Sequence, residues 1–272
     1  MSVRRVRFAL AFALALALGV AAARVAAQVT IMTNGRNSQV PINHGLPDKE
    51  NGFIFCRLYY RNVRRARKSG WGDDYPQADY NFMVRLEELT KTPISRWDNG
   101  YPGFANVTPM DPDLFHCPYL RMQNAADYDF TPEEAGRVHD YLVKGGFLWI
   151  DDNWDPDFDF IRPNVAALMP GSKIVQLDTS YPMFSELYQI TALPQIPSLG
   201  SWLRNGRDSE NGLPVRYYGV FDDRDRLVVF VSMNSDVSDS WEREGDNRAY
   251  FDVYASKGYA LGVNVAVWIL TH

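Results

Sequence analysis

The apolar positions of this chain fall into short runs separated by polar turns. FIFCRLYY (53–60) is compact and rich in aromatic and aliphatic residues, and predicts a first strand. Phe82, Met83, Leu86 and Leu89 recur at helical spacing and predict a helix over 78–90, closed by Pro93. DPDLFHCPYLRM predicts a helical turn and then a strand over 118–122. The strongest local signal is TPEEAGRVHDYLVKGG. Thr131 stands as N-cap, Pro132 as first helical residue and Glu134 as the second half of a capping box. Ala135, Val138, Tyr141 and Leu142 form the buried stripe, and Gly145 or Gly146 supplies a left-handed C-terminal cap. FLWI (147–150) then reads as a fully buried strand. Strand, helix and strand in this order predict a parallel sheet with helices on both faces.

The pattern continues with a helix over 158–169 and a strand over 172–177. A turn and a short helix follow in YPMFSELYQI. A loop over 191–213 leads to a hairpin of VRYYGVFDD and RLVVFVSMN, and a last helix spans 250–271. The expected fold is α/β, a three-layer sandwich with a mainly parallel sheet and a C-terminal β-hairpin. Residues 53–272 make a single domain. Residues 28–52 are polar and rich in Asn, Gly and Pro, and read as an N-terminal arm or linker.

Residues 1–27 have a different character. Arg4, Arg5 and Arg7 precede an Ala/Leu-rich run over 8–23, and Val25-Ala26-Ala27 offers a small-residue cleavage site. This is the pattern of a secretory signal peptide, so the domain is expected to be exported, periplasmic or extracellular. No second apolar span is predicted after it. The chain carries a net charge of −5, and the leader contributes only arginines, so the exported part is more acidic still. An acidic exported domain is a poor nucleic-acid binder. Of two cysteines, Cys56 and Cys117, the spacing fits no zinc or redox motif; they are buried thiols or one structural disulfide.

Nucleophilic chemistry finds little support. The four histidines are His44, His116, His139 and His272, and no GxSxG elbow or glycine-rich phosphate loop is present. Acids are the conspicuous chemistry. GGFLWIDDNWDPDFD ends a strand in Asp151 and Asp152, followed by Asn153, Asp155, Asp157 and Asp159. A parallel strand delivers such residues to its carboxyl end, where ligands of α/β sheets sit. The spacing of Asp155, Asp157 and Asp159 imitates a calcium loop, but Phe160 stands where glycine is needed and Ala166 where the bidentate glutamate belongs. A looser Ca²⁺ or Mg²⁺ site on Asp151, Asp152 and Asp155 is the metal candidate; no other cofactor is indicated. Two further stretches join them as ligand-binding candidates: GWGDDYPQAD with Trp71, Asp73, Asp74 and Asp79, and NSDVSDSWE with Asn234, Asp236, Asp239, Trp241 and Glu242. Asp79 reads equally as an N-cap. The basic run Arg57, Arg61, Arg64, Arg65, Arg67 and Lys68 offers anion contacts, Arg57 nearest the strand.

Phe55, Arg57 and Tyr59, then DYPQAD, DPDLFHCPYL, GGFLWIDD, YPMF, NSDVSDSWE and LGVNVAVWILTH occur together in order. This series resembles the bacterial family called domain of unknown function 4159, over nearly all of 53–272. The resemblance implies a fold similar to class I glutamine-amidotransferase-like domains, a flavodoxin-like sandwich, and implies no activity. Those enzymes place a cysteine on an elbow where this chain has Asp151-Asp152, so amidotransferase chemistry is not expected. The leading expectation is a non-catalytic domain binding a carbohydrate or cell-envelope component at the strand ends. A metal-assisted hydrolase using Asp151 or Asp152 with Asp236 or Asp239 is second. A structural partner in an envelope complex is third.

Overall fold

The computed structural model describes residues 28–33, 36–41, 45–47, 52–61 and 70–272. The leader, and Arg64, Arg65, Arg67 and Lys68 of the basic run, lie outside the described residues. The stretch read as an arm contains strands: β1 (Gln28–Thr33) and β2 (Arg36–Pro41) pair antiparallel. Val29, Thr30 and Ile31 favour extended backbone.

Seven further strands form one sheet. They are β3 (Phe55–Leu58), β4 (Phe104–Val107), β5 (Leu120–Gln123), β6 (Leu148–Asn153), β7 (Lys173–Leu177), β8 (Arg216–Phe221) and β9 (Leu227–Met233). Their order is β4-β3-β5-β6-β9-β8-β7. From β4 to β9 every pairing is parallel, while β8 and β7 extend the sheet antiparallel. The parallel part has the flavodoxin-like order, in which the first strand lies between the second and the third. The sheet is therefore mainly parallel, with the β8–β9 hairpin expected near the C-terminus. β4 (FANV) has no sequence signature, since Ala105 and Asn106 are weak strand formers; pairing with β3 decides its conformation.

The helices are α1 (Gln77–Leu89), α2 (Pro132–Val143), α3 (Phe158–Leu168), α4 (Leu199–Asn205), α5 (Val237–Glu242) and α6 (Arg248–Thr271). α1, α5 and α6 contact one another in one layer, and α2 meets α3 in another. The capping box of α2 is formed: Glu134 N–H donates to Thr131 Oγ1 at 3.2 Å, and Thr131 N–H to Glu134 Oε2 at 2.8 Å. α6 is long and apolar enough to cross a membrane, yet 56% of its most apolar window is buried in the domain. Its close approach to α5 requires glycine. A Cβ at Gly258 would lie 2.0 Å from Ser240 Oγ, and one at Gly262 2.6 Å from the Trp241 ring.

Cys56 and Cys117 form a disulfide with Cα atoms 5.9 Å apart, which settles the alternatives left open by their spacing. It ties β3 to the segment entering β5. Closing a loop of 61 residues restricts the unfolded chain by about 4 kcal/mol in the chain-entropy account.

Candidate functional site

Each of four adjacent parallel strands is followed by an Asp or Asn in the left-handed region: Asp74 (φ 59°) after β3, Asn124 (φ 49°) after β5, Asp152 (φ 54°) at the end of β6 and Asn234 (φ 60°) after β9. Asx residues tolerate this backbone best among non-glycine types. Such conformations persist where the surroundings enforce them, and they gather at ligand sites. At Asp151-Asp152 the cause is visible. The register between β6 and β9 slips between Ile150 and Asn153, a bulge that re-aims consecutive side chains.

Two of the residues buried here are arginines. Arg57 in β3 donates through Nε to both Asp79 oxygens, at 3.1 and 2.9 Å, and through Nη2 to Asp79 Oδ1. Its Nη1 donates to the backbone oxygens of Trp71 (3.0 Å) and Asp73 (2.8 Å). Burial opposes its charge, but the Asp79 carboxylate more than offsets this and holds its pKa above the ordinary value. Arg57 is thus consumed in fixing the 71–79 segment. Asp79 is neither cap nor ligand but its ion-pair partner in the first turn of α1. Arg121 in β5 is fully buried, lies 4.1 Å from the Trp149 ring and 4.8 Å from the Trp241 ring, and pairs with Asp151 Oδ2.

Next to these arginines lies a cluster of buried acids. Asp74 Oδ2 accepts from Gln123 Nε2 at 2.7 Å and from Ser238 Oγ at 2.9 Å. Asp152 Oδ1 accepts from Trp154 Nε1 at 2.8 Å. Asp236 caps α5 by accepting the Asp239 N–H at 3.1 Å. Asp239 Oδ2 accepts from Leu199 N–H (2.7 Å) and Tyr250 O–H (3.0 Å). One ligand oxygen from each of Asp74, Asp239 and Glu242 lies within 4.8 Å of the others. Arg243 pairs with Glu242 at 2.8 Å and approaches Asp239 at 3.9 Å, but it also bonds Asp246. Among the described residues Asp74 and Asp236 have no ion-pair partner.

The electrostatics follow from this crowding. Burial raises the Asp74 pKa, and the charge of Asp152 adds to the effect. Burial raises Asp236 and Asp239 well above the carboxylate range, with Asp152 and Asp74 respectively as the next cause. Glu242 is pushed up to about 9 by burial and then by Asp74, against the pull of Arg243. Like charges at such distances cannot all persist without a proton or a cation.

The structure redistributes the other predicted residues. Trp71 and Trp241 are buried core rings, packed on Tyr59 and Phe82 respectively, and present no open face to a sugar. Asp73 Oδ2 accepts from Asn124 Nδ2 at 2.9 Å. Asn153 holds Ala125 N–H at 2.9 Å and the Asp151 carbonyl at 2.8 Å. Asn234 binds the Asp155 N–H and carboxylate, and Asp155 pairs with Arg216 in β8. Asp157 accepts from Trp154 N–H at 3.0 Å, and Asp159 lies in the first turn of α3. The proposed trio Asp151, Asp152 and Asp155 is therefore split: Asp151 and Asp155 each face an arginine, and the converging carboxyls are Asp74, Asp239 and Glu242. Gln123 and Ser238 carry no sequence signal, being ordinary polar residues until the fold places them beside Asp74. Exposed Arg61 pairs with Glu134.

No curated protein matches the chain. The family model described as a domain of unknown function (DUF4159) matches residues 55–270, and the chain belongs to that family.

Proposed function

We propose that this domain works outside the cytoplasm and binds a divalent cation, Ca²⁺ or Mg²⁺, in the acidic cluster, through which it holds an oxygen-rich ligand such as a carbohydrate or envelope component. The observation that carries the reading is the convergence of Asp74, Asp239 and Glu242 within 4.8 Å. Hard cations take carboxylate oxygens, and Ca²⁺ accepts flexible geometry and several neutral oxygens besides. Gln123 Oε1 and the Ser238 hydroxyl stand next to the cluster. Burial of Trp71 and Trp241 argues against direct stacking on these rings, so a cation is the better bridge to a polyol. The leader and the Cys56–Cys117 disulfide support an exported setting.

Metal-assisted hydrolysis is the second reading, favoured by Asp152 in its left-handed bulge beside the same cluster. There the ion would polarise a carbonyl or activate water. Asp152→Asn would then abolish ester hydrolysis while leaving the cation response intact.

The test is a thermal melt of residues 28–272 in EDTA, Ca²⁺, Mg²⁺ or Zn²⁺. An ion at 100 times its Kd adds about 2.7 kcal/mol, roughly 5–10 °C for a domain of this size. Asp74→Asn and Glu242→Gln should each remove that shift. A wild-type melt indifferent to all three ions sinks the reading.

A further inference from the structure

We propose that Arg121 and Asp151 are a positioning pair: they fix where α5 begins and so hold Asp239 and Glu242 against Asp74. The ligand consequence rests on the cation reading above; the geometry does not. Asp151 Oδ2 bonds Arg121 Nη2 and also accepts the N–H groups of Val237 (3.1 Å) and Ser238 (3.2 Å), the first two residues of α5. First-turn amides have no partner within their own helix, so one oxygen fixes both the start of α5 and the arginine. The guanidinium also meets Trp241, in the last turn of the same helix, with the ring centre 4.8 Å from Arg121 Cζ. Trp149 of β6 lies 4.1 Å from the same carbon, and its ring meets Trp241 edge-on with centroids 5.7 Å apart, so the two indoles form a corner around the guanidinium.

α5 is thus held at both ends by one buried cation and its counter-ion. Asp239 and Glu242, three positions apart, project from neighbouring sites on one helix face. The helix has only six residues and cannot keep its own place by internal bonding. A neutral residue at 151 would leave Arg121 buried without its hydrogen-bonded counter-charge, which explains why an acid stands there although it is not one of the converging oxygens.

The test uses Asp151→Asn, with Arg121→Lys as the variant that keeps the charge and loses the planar stack. Near-UV circular dichroism and an intact disulfide establish folding. Hydrogen exchange at 237–242 is read against α2, and Ca²⁺ and Mg²⁺ affinities are measured by calorimetry. We expect α5 exchange at least tenfold faster relative to α2, and cation affinity at least tenfold weaker. A folded variant with unchanged α5 exchange overturns the proposal. So does a loosened α5 with affinity within twofold of wild type, which would make the pair merely structural. Asp74→Asn should weaken the cation without changing α5 exchange. If wild type binds neither ion, the cation reading fails and the exchange measurement alone decides the positioning pair. If Asp151→Asn does not fold, Arg121→Lys carries both readouts.

Discussion

Two sets of buried carboxylates share one sheet edge and differ in their partners. Asp79 and Asp151 each face an arginine with no solvent exposure on either side. Asp74, Asp236, Asp239 and Glu242 are crowded together, and among the described residues the cation that pairs with this group is Arg243, shared with Asp246. The first set is complete as it stands, and its members position backbone. Burial raises the carboxyls of both sets, opposed by the arginine in the first and reinforced by neighbouring carboxylates in the second. Residue type and burial do not separate the sets; the presence of a fixed counter-charge does. A buried acid with its own arginine is a structural part, and a crowd of acids sharing one is the group on which the cation proposal rests.

The largest consequence falls on the paired set. Arg121→Met leaves Asp151 buried and uncompensated, and should cost about 3–5 kcal/mol. That is a melting temperature lower by ~10 °C. A loss below about 1 kcal/mol would erase the distinction between the sets. The crowded set should respond to pH in the opposite sense from acids whose pKa a salt bridge lowers. Its carboxyls hold protons in the folded state that the unfolded chain releases in the ordinary acid range. The stability they confer is therefore present at low pH and lost as pH rises through their raised values. For Glu242 the window runs from 4.5 to about 9. In EDTA the melting temperature should fall between pH 5 and pH 9, and Glu242→Gln should flatten that fall and stabilise the metal-free domain by about 1 kcal/mol at pH 8. A melt that instead rises with pH would mean these groups are ionised without help. The smallest effect belongs to a pair outside both sets. Lys173 and Asp225 are 2.8 Å apart but largely exposed, and Lys173→Ala should leave the denaturant midpoint unchanged.

Local signals made much of the fold legible. The TPEE capping box, the FLWI run and the two apolar strands of the β8–β9 hairpin each act over a few residues, and each appears where expected. β4 was not legible, because its conformation comes from parallel pairing with β3 rather than from its own side chains. The site divides in the same way. Strand-end position was readable for Asp151 and Asp152. Their partners were not: nothing in the spacing of Arg57 and Asp79, or of Arg121 and Asp151, announces that each pair would neutralise itself. The tryptophans misled for a related reason. An indole in an acidic loop looks like a ligand platform until packing turns Trp71 and Trp241 inward.

The cluster has one more property, which belongs to the order of events in folding. Ser238 bonds Asp74 across 164 positions of chain, and no subset of neighbouring residues contains the converging carboxyls. Long-range contacts of this kind close only after the loops between them have been ordered. This cluster of carboxyls is then a late product of the folding reaction, absent from any partly assembled chain. A bound cation would stabilise the finished domain and none of its precursors, so saturation with the ion should slow unfolding and leave the refolding rate nearly untouched.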